Sequence, residues 1–286
     1  MGTYAVTGAA SGIGAATAER LRRDGYHVIG IDRNDCDVTA DLSSAAGRSA
    51  AVRDVLEHAD GRLDGAVLAA GLGPGKGRER MITEVNVLGV TDLLDGWRSA
   101  LAVTGNAKVV VFGSNSTTTT PFVPRRAVLD LIDGDLEAAV RKIRRRIGVT
   151  GPVAYAASKI AVTQWSRARA VSDDWAGVGI RLNVIAPGPV MTPLLRAQLD
   201  SDTGAQVRAF PVPIRHVGTP EQLTEWVMMM LSPAADFLVG SVIVVDGGTD
   251  ALVRTRDWPR PLPIRSVPRF LWTMYRASKD GRVAAY

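Results

Sequence analysis

Three glycines, Gly8, Gly12 and Gly14, stand between a short apolar run, Tyr4–Thr7, and a helical pattern, Ile13–Arg23. A strand that must hand over to a helix within a few residues needs backbone that side chains would obstruct. This spacing therefore predicts a strand, a tight turn and the start of a helix. The same alternation recurs along the chain. Apolar runs rich in β-branched residues lie at Val28–Ile31, Ala66–Ala69, Val109–Phe112, Ile180–Ile185 and Val242–Val245. Segments with apolar residues at helical spacing, such as Ala45–His58, lie between them. Repeated βαβ units imply a parallel sheet flanked by helices, and near-continuous apolar strands fit a sheet buried on both faces. The expected fold is a single doubly wound α/β domain over residues 1–251, with a helical insertion at about 121–151 and a C-terminal extension, 252–286.

The turn also has a chemical consequence. A helix N-terminus presents unpaired N–H groups and a partial positive charge, which suits a phosphate. Gly8 permits the turn, Gly12 lets backbone approach a pyrophosphate, and Gly14 lets helix and sheet pack closely. The second apolar run ends at Asp32, 18 residues past Gly14. An acid there accepts from the hydroxyls of an adenosine ribose and repels a 2′-phosphate, so NAD is expected in preference to NADP. Arg33 opposes that preference, since a guanidinium pairs with a 2′-phosphate. Asp41 has two readings of equal weight, acceptor from the adenine amino group or N-cap of the next helix.

Tyr155-Ala-Ala-Ser-Lys159 supplies the reactive groups. At helical spacing, residues four apart share a face, which sets the phenol beside the ammonium. A phenol titrates near ~10 and is a poor base at neutral pH, but a neighbouring cation favours phenolate. Tyr155 can then exchange a proton with an alcohol or carbonyl while hydride passes to or from a nicotinamide.

In chain order, Thr7–Gly14, Ala69–Gly71, Asn86–Gly89, Ser114, Tyr155–Lys159, Pro187-Gly188 and Asp246–Gly248 resemble the short-chain dehydrogenase/reductase family over residues 1 to about 250. The resemblance implies a seven-stranded parallel Rossmann sheet and a catalytic set of Asn86, Ser114, Tyr155 and Lys159. Ser114 would hydrogen-bond the substrate oxygen, and Tyr155 would be the acid/base. Lys159 would bind the nicotinamide ribose and lower the Tyr155 pKa, and Asn86 would hold a water of the proton relay. Ser11, Ile13, Leu42, Ala70 and Gly71 would join the three glycines, Asp32, Arg33 and Asp41 around the cofactor. Tyr155, Lys159, Pro187, Gly188, Val190 and Thr192 would border its nicotinamide end, with Thr192 bonding the carboxamide.

Two departures stand out. The family's Asn-Asn-Ala-Gly is here Leu68-Ala-Ala-Gly71, and Ser114 lies 41 residues before Tyr155, well beyond the family norm. Ser116 is therefore an alternative to Ser114, which is preferred because it directly follows Val109–Gly113. The extra length is the segment Pro121–Gly151, with apolar residues at Val128, Leu131, Ile132, Leu136, Val140, Ile143 and Ile147. Together with Ile31–Arg33, Ala40–Ser43, Ala70–Pro74 and Ile185–Gly188, it narrows the resemblance to the bacterial branch acting on 3α-hydroxysteroids and other carbonyl compounds. In that branch the insertion lies at a dimer interface. This implies that a Val128–Ile147 helix pairs with a second subunit in a homodimer or homotetramer.

The stretch after Gly188 offers Met191, Leu194 and Leu195 as substrate contacts beside Ser114 and Tyr155, which favours an apolar secondary alcohol or ketone. Packing of a lid helix is an equal reading for Leu194 and Leu195. The three histidines, His27, His58 and His216, are scattered, so no metal is expected, and the single Cys36 forms no internal disulfide. Net charge is +5, but residues 252–286 hold eight basic and two acidic residues, leaving −1 for the rest. The domain therefore has no electrostatic footprint for nucleic acid. No apolar run is long enough to span a bilayer and no secretory pattern opens the chain, so a cytoplasmic protein is expected. In the extension, Phe270–Lys279 reads as a short amphipathic helix. Packing on an oligomer is preferred for it over an anionic membrane surface or an active-site cover, because Pro263 and Pro268 shorten any helix.

Overall fold

The computed structural model describes residues 2–201 and 204–280. Its strands are β1 Thr3–Thr7, β2 His27–Asp32, β3 Val38–Thr39, β4 Gly65–Leu68, β5 Lys108–Phe112, β6 Arg181–Pro187 and β7 Val242–Val245. The helices of the first half are α1 Gly12–Arg23, α2 Ala45–His58, α3 Glu79–Thr83 and α4 Gly89–Ala102, with a π-helical turn at Glu84–Leu88 between the last two. Then follow α5 Ser116–Thr119, α6 Arg125–Ile132, α7 Leu136–Arg144, α8 Thr150–Ala170, α9 Pro193–Leu199, α10 Gly204–Arg208, α11 Pro220–Leu231, α12 Thr249–Val253 and α13 Val267–Lys279.

The seven strands form one parallel sheet in the order β3-β2-β1-β4-β5-β6-β7. The chain runs outward from β1 to β3, crosses back to β4, and runs outward again in the other direction. The strand order reverses between β1 and β4, and such a reversal opens a crevice at the carboxyl ends of the strands. Thr7 and Leu68 are in register there. Side chains alternate along each strand, so neighbouring residues feed two different cores. Ala5, Ile29, Leu68 and Val109 meet Leu93, Leu94 and Trp97 of α4 on one face. Val6, Val28, Val67 and Val110 meet Leu21 of α1 and Val227 and Met230 of α11 on the other.

The insertion differs from expectation. Residues 125–144 form two helices, not one Val128–Ile147 helix. After α6, Gly134 takes the left-handed conformation, φ +82°, and Asp135 caps α7 by accepting from Ala138 N at 2.9 Å. A left-handed glycine followed by an Asp N-cap is a helix stop and a helix start in sequence. The apolar stripe is covered by this chain itself. Val128, Leu131, Leu136 and Ile143 pack with Ile82 of α3, Val87, and Val153 and Ala157 of α8, whereas Ile147 lies outside both helices and is exposed. Most of the stripe is thus buried within this chain.

Met1–Asp250 and Ala251–Tyr286 form separate compact units. In the second, α13 begins at Val267 and carries Pro268 in its first turn. Proline is tolerated there, because its missing N–H would have had no partner within the helix. Pro268 therefore opens the helix instead of shortening it. Arg282 lies outside the described residues. Among the described residues, no helix is long and apolar enough to cross a membrane.

Candidate active site

At the carboxyl end of β1, Gly8 and Gly12 have φ of +73° and +58°. The Gly8 N–H donates to Ile31 O at 2.8 Å, and Thr7 Oγ1 accepts from Ala70 N at 3.0 Å. The turn is thereby tied to β2 on one side and to Ala69–Gly71 on the other. A Cβ on Gly14 would collide with the Gly8 peptide, 2.7 Å from its carbonyl carbon, so only glycine lets α1 start this close to the strand. Ser11 occupies the N-cap position of α1 without a side-chain capping bond, and no acid sits in the first turn. The N–H groups of that turn, at Gly12, Ile13 and Gly14, are left for an external acceptor. The Ile13 side chain packs against the core.

Asp32, at the end of β2, accepts from Ala10 N and Asn34 N, each at 3.2 Å, and Arg33 beside it is exposed. Asp41 does not cap α2. That role falls to Ser44, whose Oγ accepts from Gly47 N at 3.0 Å. Asp41 instead accepts from Ser43 N at 2.9 Å, and this bond holds its pKa below the usual carboxylate value. Of its two readings, the N-cap is overturned. Leu42 is buried, and its carbonyl accepts from Arg48 Nη1 at 3.0 Å.

Helix α8 carries Tyr155 and Lys159 one turn apart, opposite the carboxyl end of β5. Ser114 lies beside the Tyr155 phenol, and its Oγ accepts from Ser116 N at 3.1 Å. Ser116 Oγ, in contrast, is buried without a partner among the described residues. Ser114, not Ser116, therefore stands at the phenol. The Lys159 ammonium donates to Phe112 O at 2.7 Å, and burial lowers its pKa to about 8. Burial also raises the Tyr155 pKa, partly offset by the Ser114 hydrogen bond. The sequence argument has Lys159 lowering the tyrosine. In the structure burial is the larger influence on both groups, and the ammonium is turned to a carbonyl.

A pH prediction follows from Lys159. Its folded pKa lies below the unfolded one, so between about 8 and 10.5 the unfolded chain binds more protons. Stability from this group is complete above that window and lost as pH falls through about 8. Urea unfolding of the cofactor-free protein should show a rise on the order of 3 kcal/mol across the window. Lys159→Met should abolish it, and an unchanged rise in that variant would assign it elsewhere.

Asn86 sits in the π-helical turn, a geometry often found at functional sites. Its Oδ1 accepts from Leu72 N at 2.8 Å, and its Nδ2 donates to Leu72 O at 3.0 Å and to Ser158 Oγ at 3.1 Å. Both amide hydrogens are committed, so a relay water has only the second Oδ1 lone pair or the backbone carbonyl. Gly71 lies against Asn86 Oδ1 and Lys159 Nζ, which a Cβ there would approach at 3.3 and 3.6 Å.

Beyond β6, Gly188 N donates to Val245 O at 3.0 Å, and a Cβ on Gly188 would sit 2.7 Å from Asp246 Cα. Pro187 accepts from Asn115 N at 2.9 Å. The Val190 side chain is buried in the core with Leu223 and Val227 of α11. Thr192 caps α9, its Oγ1 accepting from Leu195 N at 3.3 Å, and its Cγ2 would lie 3.3 Å from a Cβ on Gly12. The two ends of the crevice therefore meet at Gly12 and Thr192. Leu195 is buried and packs α9, whereas Leu194 is 42% exposed and lies over Gly73 with Gln198. The half-buried Met191 donates its N–H to Gly218 O at 2.8 Å.

One feature escaped the sequence reading. Asn115 Nδ2 donates to Asp246 Oδ2 at 3.2 Å in a buried bond that ties the Ser114 loop to the Asp246 loop. Asp246 also accepts from Gly248 N and Asp250 N. The pair is separated by 131 positions, beyond the reach of any spacing rule. Among the described residues no cluster of three or more His, Cys, Asp or Glu could hold a metal ion.

Residues 3–122 match the short chain dehydrogenase family model, and residues 138–250 match the model described as enoyl-(acyl carrier protein) reductase. The 3-alpha-hydroxysteroid dehydrogenase/carbonyl reductase of Comamonas testosteroni is 39% identical over 89% of this chain and 98% of that protein. The cis-4-hydroxycyclohexanecarboxylate dehydrogenase of Sinomonas cyclohexanicum is 31% identical, over 86% and 96%. The crystal structure of the 3-alpha-hydroxysteroid dehydrogenase from Pseudomonas sp. B-0831 complexed with NADH superposes with a TM-score of 0.82. It is 42% identical, over 89% of this chain and 99% of that one. With the parallel sheet, the glycine turn and the Ser114–Tyr155–Lys159 cluster, these likenesses establish that the chain is an oxidoreductase of the short-chain dehydrogenase/reductase family.

Proposed function

We propose that this protein is an NAD-dependent dehydrogenase/reductase of apolar secondary alcohols and ketones, with a 3α-hydroxysteroid or a similar alicyclic compound as substrate. The observation that carries this reading is the grouping of Ser114, Tyr155 and the buried Lys159 at the carboxyl end of β5, beside the crevice where the strand order reverses. The cofactor fits on the chain's own geometry. The N-terminus of α1 is uncapped by side chains, a side chain on Gly12 would crowd Thr192, and Asp32 ends β2 beside the glycine turn, where it would meet the ribose hydroxyls.

Bound NAD supplies the hydride acceptor for the carbinol carbon. The protein does the rest. Ser114 orients the substrate oxygen, and Tyr155 takes the hydroxyl proton in oxidation and returns it in reduction. Lys159, whose pKa burial lowers to about 8, would hold the nicotinamide ribose. Asn86 positions the Leu72 backbone, and with it the Gly71 wall of the site. Leu194 gives the substrate an apolar neighbour. The named relatives support an alicyclic substrate, since each of the two is named for a ring alcohol.

Arg33 favours a second reading, in which NADPH is the cofactor. Initial rates with NAD and NADP decide between them. The wild type should prefer NAD, and Asp32→Ala should lower that preference at least about tenfold by removing the charge that repels a 2′-phosphate. A wild type that prefers NADP, with Asp32→Ala unchanged, would establish the Arg33 reading instead.

A further inference from the structure

The extension carries an unbalanced charge and an unpartnered face on one helix. Between Trp258 and Lys279 lie Arg260, Arg265, Arg269, Arg276 and Lys279, and no Asp or Glu. At about 100° per residue, α13 places Phe270, Met274, Val267, Leu271 and Tyr275 on one contiguous face. Arg269 and Arg276 fall opposite them. The five apolar side chains are between 40% and 59% exposed. At the border, the Arg276 guanidinium lies 5.8 Å from the Trp272 ring centroid, and Lys279 Nζ lies 4.5 Å from that of Tyr275. Cations alongside interfacial aromatics can stretch their charged ends toward headgroups while the rings sit below.

We propose that α13 lies in the plane of an anionic phospholipid surface. Its Phe270, Leu271 and Met274 side would enter the acyl boundary, and its Arg269, Arg276 and Lys279 side would meet the phosphates. The charge pattern suits an anionic surface, since residues 258–279 hold five cations and no acid, and Lys279 and Arg276 lie against the aromatics that border the apolar face. The helix spans about 20 Å, too short to cross a hydrocarbon core of about 30 Å. Arg276 has Asp280 as a partner only at 3.9 Å and 61% exposed, which leaves it available to a stronger anion. The family match ends at residue 250, so this helix lies outside the matched domain. Apolar alcohols, the substrates proposed above, partition into the same bilayer. The attachment itself does not depend on that activity.

Sedimentation of the full chain with sucrose-loaded vesicles tests the proposal, using phosphatidylcholine alone or mixed with phosphatidylglycerol. The expected result is binding to the mixed vesicles at least tenfold above the neutral ones, cut several-fold by high salt. Phe270→Ser/Met274→Ser should abolish it, and Arg269→Gln/Arg276→Gln should remove the preference for the anionic lipid. Light scattering of both variants should give the wild-type mass. Equal binding to both vesicle types, or unchanged binding in the Phe270/Met274 variant, overturns the proposal. A fall in oligomeric mass in that variant, without vesicle binding by the wild type, would place the helix on a second copy of the chain.

Discussion

Tyr155→Phe should lower kcat/KM for alcohol oxidation by about 10³-fold, the range typical for removing a positioned acid/base. Cofactor affinity and folding stability should stay near wild type. The substitution removes one oxygen and keeps the ring, so the packing of α8 persists. What it deletes is the hydroxyl beside Ser114. Ser114 Oγ keeps its bond from Ser116 N, so the loop after β5 retains its anchor. A measured loss of less than tenfold would mean that another group moves the proton. A loss of NAD binding, followed by the change in protein fluorescence, would make the residue a scaffold and not the acid/base.

The second large effect belongs to a residue that has no side chain. Gly14→Ala should destabilise the domain by about 1–3 kcal/mol, as overpacking against fixed backbone does. It should also weaken NAD binding at least about tenfold, because the N-terminus of α1 must move away from its site. The added Cβ would meet the Gly8 carbonyl and lie 2.9 Å from Thr7 O. Neither can give way easily. Thr7 is paired in register with both Ile31 and Leu68, and Gly8 is bonded to Ile31. Urea denaturation and NAD titration read the two effects separately. An unchanged midpoint would show that α1 can shift without cost.

The parts of this molecule readable in sequence are those governed by local rules. The glycine turn was legible because positive φ and close packing are demands on single residues, and Gly8, Gly12 and Gly14 meet them. Tyr155 and Lys159 were legible because four residues make one helical turn. The Ala45–His58 helix appears with the bounds its pattern gave. The Gly134-Asp135 break was missed because the apolar period of Val128, Leu131 and Leu136 continues across it, with all three feeding one cluster. Asp41 was a fair candidate cap, but Ser44, three residues on, is equally competent and is the one used. The pKa values of Tyr155 and Lys159 follow from water exclusion by elements distant in sequence. Only the assembled fold shows that burial is the largest influence on both. For the same reason no motif announced the Asn115–Asp246 bond.

Hydride transfer at this site is tested most directly with a 3α-hydroxysteroid carrying deuterium at its carbinol carbon. The steroid is incubated with NAD and the full chain, and the nicotinamide product is read by mass spectrometry. The predicted result is deuterated NADH formed in step with the ketone. NAD bound but left oxidised, or NADH formed without deuterium, would contradict a dehydrogenase acting at that carbon.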